Sequence, residues 1–71
     1  MLFNERLKLL RVAKKVTQVT VASELHLTER QYQRLEAGDS LPMHENLIAL
    51  ADYFDVSLDY LVGRSDDPTR R

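Results

Sequence analysis

Cysteine is absent from this chain of 71 residues, and its two histidines, His26 and His44, stand far apart. These shortages exclude a disulfide framework and a structural zinc site. No apolar run approaches the roughly 18 residues that a membrane span requires, and Met1 to Phe3 leads straight into charged residues. A cytoplasmic, soluble chain is expected. There is no glycine-rich phosphate loop, no close His/Asp/Glu cluster and no serine or cysteine nucleophile pattern, so neither a cofactor nor an enzymatic activity is expected. What remains is one small aliphatic core near the lower size limit for folding without staples.

The formal net charge is −1, which at first argues against a nucleic-acid partner, because affinity for DNA comes largely from neutralising phosphates. The distribution is more informative than the total. Residues 1 to 38 carry seven Lys/Arg against four Asp/Glu, and residues 39 to 71 carry three against seven. One half is basic and the other acidic.

The hydrophobic period is helical throughout. Phe3, Leu7 and Leu10 recur at helical spacing through about Lys14, with Asn4 as the expected N-cap and Lys14 and Lys15 near the carboxyl end, where cations complement the dipole. Thr17 can cap a second helix whose narrow apolar face is Val21, Ala22 and Leu25. A third helix has the clearest start: Thr28 and Gln31 have the spacing of a capping box, and Leu27 and Tyr32 that of a hydrophobic staple. Gly38, Asp39, Ser40, Leu41 and Pro42 end it. A fourth helix runs from about Met43 to Phe54 on Leu47, Leu50, Ala51 and Phe54, and Ser57 caps a short fifth through about Val62. Residues 1–63 thus form one domain, and residues 64–71 read as a frayed polar tail.

The second and third helices are joined by only Leu25, His26, Leu27 and Thr28, so they must meet at a steep angle. At 100° per residue, Tyr32 and Leu35 share one side of the third helix, while Arg30, Gln33, Arg34 and Ala37 share the other. Arginine and glutamine are the side chains that make bidentate hydrogen bonds to guanine and adenine edges in the major groove. Taken alone, such a face is also what any solvated helix shows.

The order and spacing of "ERLKLLR" (5–11), "VTQ" (16–18), "VASELHLTERQYQRLEAG" (21–38), Pro42 and "LIALADYFDVSLDYLVG" (47–63) resemble the Cro/repressor-like, XRE-type helix-turn-helix domains of phage and bacterial regulators. The resemblance implies an all-α, five-helix lambda-repressor-like fold whose helices two and three form the helix-turn-helix. It implies a transcriptional regulator, in the first instance a repressor, that binds double-stranded DNA at a palindromic operator as a homodimer. Base reading falls to Glu29, Arg30, Gln31 and Arg34, with Gln33 added by its outward position. Gln18 is expected to hold a phosphate oxygen, with Ser40 and His44 as further phosphate contacts. The resemblance pairs Arg11 with a buried Glu36. A dimer surface is expected at the fifth helix and the loop before it, with Leu58, Tyr60, Leu61 and Val62 as candidates, the alternative for Leu58 and Leu61 being a place in the core.

Three positions depart from the family pattern. His26 replaces the usual turn glycine, and histidine tolerates left-handed dihedrals better than most residues. Asp39 and Ser40 stand where the family often carries lysine or arginine, which predicts moderate affinity and a shallow salt dependence. Leu9, Val12 and Val19 occupy commonly polar positions. They support the rival expectation, a protein-binding module such as an antitoxin or adaptor with its partner at that patch.

Overall fold

Residues 1–70 are described by the computed structural model. Among them the chain forms α1 (Phe3–Lys14), α2 (Gln18–Glu24), α3 (Glu29–Ala37), α4 (His44–Phe54) and α5 (Leu58–Leu61), with no strand. This is the all-α, five-helix order that the sequence led us to expect.

Helix starts follow from side-chain oxygens that satisfy first-turn amides. Thr17 Oγ1 accepts from the Thr20 N–H at 3.1 Å, and Ser57 Oγ accepts from the Tyr60 N–H at 3.1 Å. At α3 both halves of the capping box form: the Gln31 N–H donates to Thr28 Oγ1 at 3.1 Å, and the Thr28 N–H donates to Gln31 Oε1 at 2.8 Å. The expected Asn4 cap is not used. Leu2 holds the N-cap position of α1, and its N–H donates to Glu5 Oε1 at 3.0 Å. Asn4 instead lies one residue inside the helix, with its amide against Gly38 at the far end of α3.

Helix ends turn through left-handed residues. Lys15 (φ 60°), Asp55 (φ 54°) and Gly38 (φ 81°) close α1, α4 and α3, and His26 (φ 58°) makes the turn between α2 and α3. The His26 backbone is the one expected of a residue in the glycine position. Gly63 also has a positive φ, and a Cβ there would lie 1.9 Å from the Met1 carbonyl oxygen. Gly63→Ala is therefore expected to cost about 1 to 2 kcal/mol from left-handed strain alone, with displacement of the amino terminus besides. Urea unfolding followed by circular dichroism would measure it.

Leu7, Val21, Tyr32, Leu50 and Leu61 are the largest fully buried side chains, one from each helix. The helices α2 and α3 pack most extensively on each other, while α1 crosses α3, α4 and α5. Ala22, in the apolar face of α2, is buried. Leu61 lies wholly in this core, which corrects its assignment to a dimer surface: its apolar area is already spent within the chain. Tyr60 is partly withdrawn as well, because the Arg6 guanidinium stacks 3.8 Å from its ring centroid.

The tail does not fray over residues 64–70. The Ser57 N–H donates to the Pro68 carbonyl at 3.1 Å, Arg70 Nη1 donates to the Ala51 carbonyl at 3.1 Å, and Arg70 Nη2 meets Asp52 at 2.5 Å. Asp66 pairs with Arg6 at 3.4 Å. The segment is held along α4 and α5 where the Arg70 guanidinium meets the Ala51 carbonyl and the carboxylates of Asp52 and Asp55. Arg71, the last residue of the expected tail, lies outside the described residues.

Candidate nucleic-acid interface

The interface is built on α3. Its inner side is set by Tyr32, Leu35 and Glu36, all buried, while Glu29, Arg30, Gln31, Gln33 and Arg34 are exposed. The two sides of one short helix are thus as separate as its 3.6-residue period requires.

Exposed residues on this face differ in how free they are. Gln31 is committed to the capping box through its Oε1. Gln33 Nε2 donates to Gln18 Oε1 at 3.4 Å and to Glu29 Oε2 at 3.5 Å. Gln33 therefore lies toward α2 and toward its own helix start. By contrast, the guanidiniums of Arg30 and Arg34 have no ion-pair or hydrogen-bond partner among the described residues. They carry a full charge, always present, at the surface.

Behind the face runs a polar chain. Gln18 opens α2, is half-buried, and donates from Nε2 to Glu36 Oε1 at 3.3 Å. Glu36 in turn receives Arg11 Nε at 2.6 Å and Arg11 Nη2 at 3.3 Å, the bidentate fork that suits a carboxylate. Arg11 Nη1 also donates to the Val16 carbonyl at 3.0 Å, which ties the α1–α2 turn to the same pair. Donation to the Glu36 carboxylate holds the Arg11 guanidinium above its ordinary pKa. Five residues from three helices are linked in this way, from a buried ion pair out to Gln33 and Glu29.

The Arg11–Glu36 pair forms as the resemblance implied, but the Gln18 link to it was not legible. Gln18 was expected to face a phosphate; in the free chain its amide nitrogen is engaged inward. No local signal marks an i,i+18 contact. Arg6, to which the sequence assigned no role, is buried against Tyr60, Asp66 and the Met1 sulfur.

The Tyr32 hydroxyl is buried beside Glu36 and Arg11 without a hydrogen bond of good geometry. Burial first, and the Glu36 carboxylate second, push its pKa up from the ordinary value near 10. The folded state therefore binds this proton more tightly than the unfolded chain does, so its contribution to stability is fully present below about pH 10 and is lost as the pH rises beyond that. Tyr32→Phe is expected to flatten the alkaline decline of the melting temperature while changing it little at pH 7, since the variant also removes an unsatisfied buried hydroxyl. Thermal melts between neutral pH and the alkaline limb would show this.

Ser40 is half-buried and His44, the first residue of α4, is exposed. Ser40 shares a shallow depression of about 210 Å³ with Gln31, Arg34, Leu41, Pro42 and Met43. On α1, Leu9 and Val12 line a second depression of about 510 Å³ with Glu5, Lys8 and Ala13. Val19 is exposed on α2 but is not part of that depression, so the three residues do not make one pocket. No helix among the described residues is long and apolar enough to cross a membrane.

A helix-turn-helix family profile matches residues 7–61. Among curated proteins, the chain is 36% identical over 67 residues to the uncharacterized HTH-type transcriptional regulator YobD of Bacillus subtilis, covering 94% of this chain and 60% of that protein. It is 39% identical over 64 residues to the cryptic phage CTXphi transcriptional repressor RstR of Vibrio cholerae, covering 90% and 57%. The chain thus spans less than two thirds of the length of these relatives. Among solved structures, the P22 c2 repressor in complex with a synthetic operator superposes with a TM-score of 0.84 at 26% identity, covering 92% of this chain and 98% of that one. A transcriptional regulator from Listeria innocua gives 0.83 at 34% identity, covering 86% and 57%.

Proposed function

Because the chain belongs to the helix-turn-helix family, we propose that it is a sequence-specific transcriptional regulator, acting in the cytoplasm as a repressor with α3 in the major groove of duplex DNA. The observation that carries this reading is the state of Arg30 and Arg34. Both guanidiniums are exposed, and unpaired among the described residues, on the outward side of a helix whose opposite side is locked in the core. Such groups are free to donate to guanine O6 and N7. Glu29, Gln31 and Gln33 complete the base-reading set, and Gln18, Ser40 and His44 hold phosphates, Gln18 by trading an internal hydrogen bond for an external one.

A homodimer is part of this reading, and the size of the domain supports it. The longest dimension of the domain is 29 Å, so one copy reaches a single half-site, whereas half-sites one helical turn apart lie roughly 34 to 36 Å from each other. Leu58, 41% exposed, the half-buried Val62 and the uncovered side of Tyr60 are the apolar surface left near α5 for a second copy.

Isolation of bound duplexes from a random pool tests the proposal. A two-fold symmetric consensus is the expected result, and equal, weak retention of every sequence would sink it. The exposed depression at Leu9 and Val12 supports a second reading, a protein partner docked there. Under that reading Leu9→Lys abolishes partner capture and leaves DNA affinity unchanged.

A further inference from the structure

Leu41 is the most exposed large hydrophobic residue of the described chain, at 87%, and Met43 follows two residues later at 66%. Neither is scattered at random over the surface. Both line the depression whose other wall is Gln31 and Arg34 on the base-reading side of α3. The loop from residue 39 to 43 contains no lysine or arginine, and Asp39 is its only charged residue. The N-cap of α4, Met43, has no side-chain capping bond.

We infer that Leu41 and Met43 form an apolar anchor that packs on the deoxyribose faces of the DNA backbone beside the base pairs read by Arg30 and Arg34. The inference rests on the DNA-binding reading above and names residues and a contact type that the reading does not contain. Continuity decides the occupant. A duplex that receives Arg34 must pass over the loop that shares a wall with Arg34, and the sugars of that duplex present C–H surface rather than charge. Pro42 restricts the backbone between the two apolar residues, so little conformational freedom is lost when the loop docks. An apolar contact releases no counterions, so this anchor adds affinity without adding to the salt dependence.

The test uses the chain as it stands, a duplex isolated from the random pool, and a scrambled duplex of equal length. Anisotropy titrations across a range of salt compare wild type with Leu41→Ala and Leu41→Lys, and melting curves verify that both variants are folded. Leu41→Ala is expected to weaken both duplexes about tenfold at every salt concentration, with the slope of log K against log salt unchanged. Leu41→Lys is expected to recover affinity at low salt and to steepen the slope by about 0.9, as one new phosphate contact would. Affinity of Leu41→Ala within twofold of wild type would refute the anchor while leaving the DNA-binding reading intact. So would a change in self-association without a change in DNA affinity, since it assigns the patch to a second copy. Failure of wild type to retain any duplex would overturn both readings, and it is recognised before any variant is compared.

Discussion

Glu36→Ala is expected to destabilise the chain by about 3 to 5 kcal/mol, the cost of stranding one partner of a buried ion pair. At 71 residues the whole stability is of order 4 to 11 kcal/mol, so the variant approaches the unfolding threshold. Glu36 is held by two bonds from Arg11 and one from Gln18, and its side chain is only 4% exposed. Arg11 keeps its bond to the Val16 carbonyl and is 16% exposed, so it retains partial hydration and the loss falls toward the lower end of that range. Urea unfolding measures the effect. A control separates stranded charge from lost packing: Arg11→Met combined with Glu36→Leu removes both charges at similar volume and is expected to recover most of the loss. If the double variant were as unstable as Glu36→Ala alone, the pair would be contributing by geometry and not by charge compensation.

The second large effect is on DNA. Arg30→Ala and Arg34→Ala are each expected to cost about 1 to 3 kcal/mol, roughly 5- to 150-fold in affinity, and to relax selectivity at one base pair of the half-site. Neither guanidinium has a partner to lose among the described residues, so folding stability should stay within about 0.5 kcal/mol of wild type. Gln33→Ala should do less, because its amide must first give up Gln18 and Glu29. Gln18→Ala should weaken all duplexes alike, as a phosphate contact does. Competition titrations against single-base variants of the isolated duplex would distinguish these patterns. A uniform loss across sequences for Arg34→Ala would demote that residue from base reader to phosphate contact.

The two predictions draw on features that were unequally legible. The separation of Arg30 and Arg34 from Tyr32 and Leu35 is a consequence of helical period within one turn or two, and the Thr28 capping box is an i,i+3 contact. Local geometry of this kind follows from residue order. The Arg11–Glu36 pair came from resemblance to a family, since nothing in the spacing of two residues 25 apart implies that they meet. The inward turn of Gln18, the burial of Arg6 under Tyr60 and the return of residues 64–70 along α4 and α5 were not legible at all.

By itself, then, the sequence determined the starts of α2, α3 and α5 at Thr17, Thr28 and Ser57, which side of each helix is apolar, and which side chains of α3 face away from the core. Those are consequences of hydrogen bonds and periods spanning at most a few residues. Only the tertiary structure decided which polar groups are free. That depends on contacts between residues far apart in the chain, as when Arg6 meets Asp66 and Arg70 meets Asp52, and a side chain's freedom is set by whatever else the fold brings within hydrogen-bonding distance. The same packing that withdrew Leu61 and Arg6 from solvent and turned the Gln18 amide inward left Arg30, Arg34 and Leu41 exposed.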